Sequence, residues 1–250
     1  MSVFDRDPVT YDAVRPSYPA ALVDDVVALA QLAPGARVLE VGSGTGQATR
    51  LFAARGFAVT AVEAGPSLAA ATRKHTADVR VGRFEEIPLD GAYPLVYSAT
   101  AWHWIDPARG YARAREVLVG GGALALFWNE HIRGDDDVGF FDATQDLYEA
   151  AGMARSRLQP ATALRDRTAD IVASGDFGDV VRRQYPWHSD YDGRTYARLL
   201  GTYSDHIALP DDVRTLLLDG IAQLIDTRFG GRIRKHYAAD LYVARAITRA

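Results

Sequence analysis

The sequence predicts an α/β protein built on a mainly parallel sheet, and three observations carry that expectation. The run Val38-Leu39-Glu40-Val41 is an apolar strand that enters the turn Gly42-Ser43-Gly44-Thr45-Gly46 and then the helix formers of residues 48–55. Between residues 17 and 128, β-branched runs alternate with segments of helical periodicity, as βαβ units require. Gly and Pro fall between those segments rather than inside them, at Pro34-Gly35, Gly56, Pro107 and Gly120-Gly121-Gly122.

Residues 17–32 read as a helix, with Pro19 in its first turn, Asp24 and Asp25 early, and Leu22, Val23, Val26, Val27 and Leu29 as the apolar face. Pro34-Gly35 ends it, and residues 37–41 form the first buried strand. The next helix spans 45–55 and closes at Gly56, a position where a left-handed cap favours glycine. Residues 57–63 make the second strand, 66–75 a helix, 79–81 a short third strand and 95–98 a fourth. Asp106-Pro107 opens another helix, an Asp cap followed by proline at the first helical position. That helix runs to about Leu118 and stops on the three glycines, and 123–128 is the fifth strand.

Beyond Asn129 the rhythm changes. Residues 131–137 are polar and loop-like, and 138–153 read as a helix with Phe140, Phe141, Leu147 and Tyr148 on its apolar side. Residues 180–187 read as a strand, 191–200 and 211–229 as helices. A long last strand covers 231–246, with Ile233, Tyr237, Leu241 and Val243 in the core. No repeat or low-complexity linker divides the chain. Residues 1–250 are expected to form one domain, with 130–179 as a helical insertion.

A glycine-rich βα turn lets a ligand lie against bare backbone at a helix N-terminus. In an open parallel sheet such a ligand sits beyond the C-terminal strand ends. Two nucleotide readings compete at this turn. The dinucleotide fingerprint is G-x-G-x-x-G/A, and Gly42 and Gly44 fit it, but its third position is Gln47. The other reading takes the actual spacing Gly42, Gly44, Gly46 together with the acid Glu40. Glu63 ends the second strand about twenty residues later, where an acid accepts hydrogen bonds from ribose hydroxyls in either case. It would serve equally as a cap for the helix at Pro66. Trp102-His103-Trp104 leaves the fourth strand where a reacting group would lie; the plainer reading of His103 is a structural imidazole between two indoles.

The run Glu40-x-Gly42-x-Gly44-x-Gly46 resembles the first motif of class I S-adenosylmethionine-dependent methyltransferases. Tyr11-Asp12-Ala13-Val14-Arg15-Pro16-Ser17-Tyr18-Pro19, His103-Trp104 and Asn129 are similar to segments of the methyltransferase type 11 group that includes trans-aconitate methyltransferase-like enzymes. These matches cover most of residues 4–129. The resemblance implies a Rossmann-like sheet of order 3-2-1-4-5-7-6 with the last strand antiparallel, S-adenosyl-L-methionine as cofactor, and an acceptor covered by residues 1–20 and 130–179. It places the cofactor's amino-acid end by Glu40, Gly42, Ser43, Gly44, Gly46, Gln47 and Thr49, with loop amides and Thr49 as candidates for its carboxylate and Glu40 acting through the loop backbone or on the ammonium. The ribose falls to Glu63 and Ala64, the adenine to Phe84 and Glu85, and the reacting end to Ser98 and Ala99. Arg83 stands where the group often has Asp, which leaves the polar adenine contact to Glu85. Tyr11, Arg15, Trp102, Asn129 and Arg133 are the acceptor candidates, with Arg194 as a further carboxylate partner. His103 is the catalytic candidate: a general base if the acceptor is a phenol, amine or carbon acid, whereas a carboxylate needs none.

Composition narrows the alternatives. The 250 residues carry 28 basic and 32 acidic side chains, a net charge of −4, which disfavours a nucleic-acid partner. There is no cysteine, so disulfides, thiolate metal sites and cysteine nucleophiles are excluded. The histidines show no metal-ligand spacing. Residues 1–10 include Asp5 and Asp7 and lack the apolar core of a signal peptide, and no apolar run reaches membrane-spanning length. The expectation is a cytoplasmic enzyme that methylates a small molecule by in-line transfer, with a carboxylic acid as the candidate acceptor and the oligomeric state open. An NAD(P)-dependent oxidoreductase and a non-catalytic cofactor-binding module are the alternatives.

Overall fold

The computed structural model describes residues 7–134, 139–153 and 158–247. Residues 1–6 of the expected N-terminal lid, and 135–138 and 154–157 of the expected insertion, lie outside the described residues. At the centre is β1 (Arg37–Val41), four of whose five residues are buried. Burial on both faces is what a central parallel strand requires. β1 pairs in parallel with β2 (Ala58–Glu63) and with β4 (Tyr93–Ala99). β3 (Asp78–Val81) joins β2, and β5 (Leu118–Ile132) joins β4, again in parallel. β7 (Arg232–Ala246) runs antiparallel between β5 and β6 (Phe177–Asp192). The order is β3-β2-β1-β4-β5-β7-β6, as the resemblance implied.

Alternation along the strands divides the core into two layers. Leu39, Val41, Val96, Leu124 and Leu126 pack on α5 (Pro107–Val117) through Tyr111, Ala114 and Val117. Val38, Leu95, Tyr97, Ala125 and Phe127 pack on α2 (Ala20–Leu29) and α3 (Thr49–Ala53). α4 (Pro66–Thr72) buries Leu68 and Ala69 beside β2 and β3. A third cluster caps the sheet. It joins α1 (Pro8–Val14), α6 (Phe140–Ala143), α7 (Gln145–Ala150), α9 (Gly193–Leu200) and α11 (Asp211–Arg228) through Val14, Phe140, Tyr148, Tyr196, Leu217 and Ile221. Two further short helices are α8 (Thr168–Val172) and α10 (Ser204–Ile207).

Several boundaries differ from expectation for identifiable reasons. α2 begins at Ala20, with Pro19 outside as its cap residue, and ends at Leu29. The helix after the glycine turn starts at Thr49, because Gly44 and Gly46 hold φ of +58° and +93°, which helical backbone cannot adopt. The glycines 120–122 do not stop a helix; they lie inside β5, where the register with β4 slips between Tyr93 and Leu95. β5 also continues through His131 and Ile132, expected as loop, because those residues pair with Tyr237 and His236 of β7. The single helix expected over 138–153 is α6 and α7, broken at Thr144, whose hydroxyl donates back to the Phe141 carbonyl at 2.8 Å. Tyr191 and Asp192, expected in a helix, end β6; Asp192 then caps α9 by accepting from Thr195 N at 2.7 Å.

The largest difference concerns the cap. With β5 ending at Ile132 and β6 starting at Phe177, only 133–176 lies between strands, and the helices among its described residues are short. The largest share of the capping cluster comes instead from α9 and α11, between β6 and β7, with α1 packed on α9.

Candidate functional site

The glycine turn lies at the C-terminal end of β1 and is held from the neighbouring strand. Gly42 N and Ser43 N donate to Val62 O at 2.8 and 3.1 Å, Gly44 N to Glu63 Oε2 at 2.8 Å, and Gly46 N to Ser43 O at 2.9 Å. Those four amides are therefore engaged within the protein, and the expectation that they receive a ligand carboxylate is corrected. Gly42, at φ +73°, has no room for a side chain: a Cβ there would lie 2.5 Å from Ala101 Cβ. A Cβ on Gly46 would meet His75 Cδ2 at 2.6 Å. Gly44 differs, since a Cβ there would meet nothing within 4 Å. Its outer face is the bare backbone that the spacing predicted.

Glu63 is buried, and its second oxygen accepts from Gly65 N at 2.8 Å. One carboxylate thus joins the glycine turn to the start of α4. The ribose and cap readings of Glu63 are compatible. Ala64 follows it as an exposed residue. Gln47 turns toward α1: its amide donates to Asp12 O and Oδ1 at 2.9 and 3.0 Å.

Two buried polar atoms flank the turn without a partner, Glu40 Oε1 and Thr45 Oγ1, on residues each 1 % exposed. The other Glu40 oxygen accepts from Thr49 Oγ1 and from Tyr97 OH at 3.0 Å. Thr49 is thereby committed to Glu40. Burial drives the Glu40 pKa up to about 7, against the opposing hydrogen bonds of Thr49 and Tyr97, and nearby Glu63 adds to the rise. Buried polar atoms without a partner are costly, so an acceptor and a hydroxyl left unsatisfied beside the glycine turn single out this spot.

On the far side, Phe84 is 1 % exposed and packs into the core beside Trp102, ring centroids 6.1 Å apart. Its side chain is a core element rather than an open wall. Glu85 accepts from Asp106 N at 3.3 Å and from Arg83 at 3.1 Å. Burial would raise its pKa, but the amides of Glu85 and Asp106 and the Arg83 guanidinium outweigh it, and the net shift is downward. The Glu85 carboxylate joins this loop to the start of α5. Ser98 is fully buried, its hydroxyl donating to Val41 O at 2.8 Å, and Ala99 ends β4.

His103 lies in a 3₁₀ turn, Trp102–Trp104, that follows β4. Trp102 is buried, whereas His103 and Trp104 are exposed. Of the two flanking indoles, Trp104 packs on the imidazole with ring centroids 5.0 Å apart, and a third indole joins it: Trp128 Nε1–H donates to His103 Nδ1 at 3.4 Å. Accepting at Nδ1 places the proton of neutral His103 on Nε2. Arg167 stacks on Trp128, 4.4 Å from the ring centroid, and pairs with Glu130 at 2.8 Å. Desolvation beside Trp128 lowers the His103 pKa, Arg167 lowers it further and Glu130 opposes them, so the imidazole is neutral near pH 7.

The N-terminal segment crosses the strand ends. Tyr18 OH and Thr100 Oγ1 lie 2.8 Å apart, and Thr100 holds φ +53°. Asn129 Nδ2 donates to Ser17 O at 3.0 Å while Trp187 Nε1 donates to Asn129 Oδ1 at 3.1 Å. Arg15, an acceptor-site candidate, is committed elsewhere: it donates to Thr202 Oγ1 and O at 2.9 and 2.6 Å and lies between the rings of Tyr11 and Tyr203. Arg133 is exposed, its N–H donating to Gln159 O. Tyr11 and Arg194 line a cleft of about 660 Å³ between α1, α9 and α11 that includes neither His103 nor Asn129. The structure therefore ties Asn129 to the N-terminal segment, engages Arg15 with Thr202, and places Arg194 in the cleft between α1, α9 and α11. No cluster suited to a metal ion occurs among the described residues.

Thr45, Tyr97, Trp128, Arg167 and Asp12 escaped the sequence reading. Thr45 lay inside the motif, masked by its glycines. Trp128 and Asp12 were within matched segments, and α1 itself carried the Asp7-Pro8 start that identified α5 at Asp106-Pro107.

Comparison with known proteins agrees with this geometry. A methyltransferase domain family matches residues 39–126. An uncharacterized methyltransferase of Mycobacterium bovis is 33% identical over 220 residues, covering 87% of this chain and 83% of that protein. A malonyl-[acyl-carrier protein] O-methyltransferase of Serratia marcescens is 32% identical over 131 residues, 49% of each chain. Among solved structures, a chain from Anaeromyxobacter dehalogenans assigned as a type II methyltransferase has a TM-score of 0.66 at 22% identity, covering 94% of this chain and 99% of that one. The chain belongs to the methyltransferase family with the type 11 domain. It is an S-adenosyl-L-methionine-dependent enzyme on the class I methyltransferase fold, and the choice between the two nucleotide readings falls against NAD(P).

Proposed function

We propose that this methyltransferase esterifies a small carboxylic acid, with His103 acting as a hydrogen-bond donor rather than as a base. The observation that carries the reading is the Trp128–His103 bond, which leaves Nε2–H, not a lone pair, for the acceptor. A donor suits a carboxylate, which is already the nucleophile and needs no proton removed. The Serratia relative, by its name an O-methyltransferase of a malonyl group, is consistent with this chemistry. A trans-aconitate-like acid fits the same class. A phenol or amine acceptor would instead require Nδ1 to give up Trp128.

The residues fit the cofactor. The open face of Gly44 admits a ligand against backbone, and Glu40 Oε1 and Thr45 Oγ1 offer an acceptor and a donor for a zwitterionic amino-acid group. Glu63 and Ala64 would hold the ribose, the backbone about Phe84 and Glu85 the adenine, and Ser98 and Ala99 would line the reacting end. When bound, S-adenosyl-L-methionine supplies an electrophilic methyl group on a cationic sulfur. His103 and Trp102 orient the acceptor for in-line attack, where alignment contributes much of the rate. The N-terminal segment from Asp7 and residues 139–153 and 158–176, with α9 to α11, cover the acceptor and exclude water. No helix is long and apolar enough to cross a membrane among the described residues.

Glu63→Ala tests the cofactor side. It removes the bonds to Gly44 N and Gly65 N along with the ribose contacts. Cofactor affinity should fall by about 1.5–3 kcal/mol, the scale of hydrogen bonds to a charged group. Because the carboxylate also braces the turn, the melting temperature should fall as well. An unchanged dissociation constant in calorimetry would remove Glu63 from the cofactor site. Labelled methyl donor offered with small acids, phenols and amines tests the acceptor class: incorporation into acids supports the reading, and incorporation into phenols or amines alone overturns it.

A further inference from the structure

Glu40 is a carboxyl group in an unusual position. It lies inside the central strand, 1 % exposed, and one of its oxygens has no partner. The ionisable side chains that bear on it are Tyr97 on β4, Glu63 at the end of β2, and Tyr18 of the N-terminal segment. None of these is a cation, and Glu63 carries the same sign. Thr49 and Tyr97 donate only to Oε2. An ionised carboxylate buried without a counter-charge is costly, and the usual response is to remain protonated. The cost falls if a cation pairs with the unpartnered oxygen.

We propose that Glu40 is protonated in the free protein and releases its proton to solvent when the α-ammonium group of the cofactor pairs with Oε1, so that cofactor binding and ionisation of Glu40 are one linked event. This rests on the assignment of the glycine turn as the cofactor's amino-acid subsite. No covalent bond changes apart from the O–H bond of Glu40, whose proton passes to the buffer. Thr45 Oγ1, the second unpartnered atom, takes the α-carboxylate as a neutral donor and has no part in the proton exchange. The rise in the Glu40 pKa to about 7 places the exchange near neutrality. Below that pH, binding must first remove a proton, and affinity should fall up to about tenfold per pH unit. Above it, affinity should level off.

The linkage has a counterpart in the unliganded protein. The folded-state pKa of Glu40 is raised, so the folded form holds this proton more tightly than the unfolded chain. Its favourable contribution is full below the unfolded carboxyl pKa and is lost as pH rises toward about 7. Glu40→Gln, which keeps a neutral group of the same shape, should therefore raise the melting temperature of the free protein above pH 7 and leave it little changed near pH 5.

The test is calorimetric titration with S-adenosylhomocysteine between pH 6 and 8, in two buffers of different ionisation enthalpy. Methylthioadenosine, which lacks the amino-acid group, is the control. The wild-type protein should release close to one proton with S-adenosylhomocysteine at pH 6 and progressively less toward pH 8, and none with methylthioadenosine. Glu40→Gln should abolish the release and flatten the pH dependence of affinity. Thr45→Val should weaken binding and keep the release. Binding of S-adenosylhomocysteine without proton release at pH 6, or release that persists in Glu40→Gln, overturns the linkage while leaving the cofactor site standing. Equal affinity for S-adenosylhomocysteine and methylthioadenosine, unaffected by either substitution, overturns the subsite assignment itself.

Discussion

Gly42→Ala should lower the melting temperature by several degrees, whereas Gly44→Ala should cost much less stability and lose cofactor binding. Both glycines hold positive φ, which alanine adopts at a cost of about 1–2 kcal/mol. At Gly44 that cost stands alone, because a Cβ enters open space. At Gly42 the new Cβ would fall 2.5 Å from Ala101 Cβ, and overpacking adds about 1–3 kcal/mol. For a chain of this size each kcal/mol is worth roughly 2–4 °C, so the combined cost at Gly42 is at least about 4 °C. Ala101 precedes the turn that carries His103, so movement at residue 42 should also reduce turnover. The Gly44 substitution acts differently: its methyl group occupies the surface assigned to the cofactor. Thermal melts with and without S-adenosylhomocysteine separate the two effects. A Gly44→Ala protein that binds the cofactor normally would place the ligand elsewhere.

His103→Ala should reduce kcat/KM by about ten- to a hundredfold, the worth of one hydrogen bond to a charged group, roughly 1.5–3 kcal/mol. A general base would typically be worth about 10²–10⁴-fold. The pH profile distinguishes the roles more sharply than the magnitude. The His103 pKa is lowered, so the imidazole is neutral near pH 7 and gains a proton only in more acidic solution. That proton goes to Nδ1, displacing the Trp128 bond, and leaves Nε2–H in place as a donor. Turnover should then persist as pH falls through the His103 pKa. A base would lose activity over the same interval, since a protonated imidazole accepts nothing. His103→Gln, which retains a side-chain N–H, should recover part of the loss.

The fold was largely legible because its signals are local. Arg37–Val41 is bounded by Pro34-Gly35 and Gly42, and α5 by an Asp cap and a proline, so each element is specified by its own neighbours. The terminal strand showed its core positions, Ile233, Tyr237, Leu241 and Val243, all of which are buried. Elements fixed by pairing across the sheet were harder to read. His131 and Ile132 are polar in context and become strand only because β7 lies beside them. The glycines at 120–122 carry a helix-stop signal locally and a strand slip in three dimensions.

The site divides in the same way. Glu40, Gly42, Gly44, Gly46 and Glu63 were readable because one motif contains the turn and strand spacing gives the acid. Their hydrogen bonds were not, and it is those bonds that assign Thr49 to Glu40, Glu85 to the start of α5 and Arg15 to Thr202. The proton position on His103 depends on Trp128, which is twenty-five residues away in the chain and one hydrogen bond away in space. No pattern along the chain announces such a partner.

The chemical nature of the methylated product tests the central claim most directly. Incubating the enzyme with labelled S-adenosyl-L-methionine and a panel of small acids, phenols and amines, then treating the products with mild alkali, separates methyl esters from ethers and methylamines. The account predicts label that alkali releases as methanol, formed from acids and retained, at reduced rate, in His103→Ala. Label that survives alkali, formed from phenols or amines and lost with His103, would contradict it.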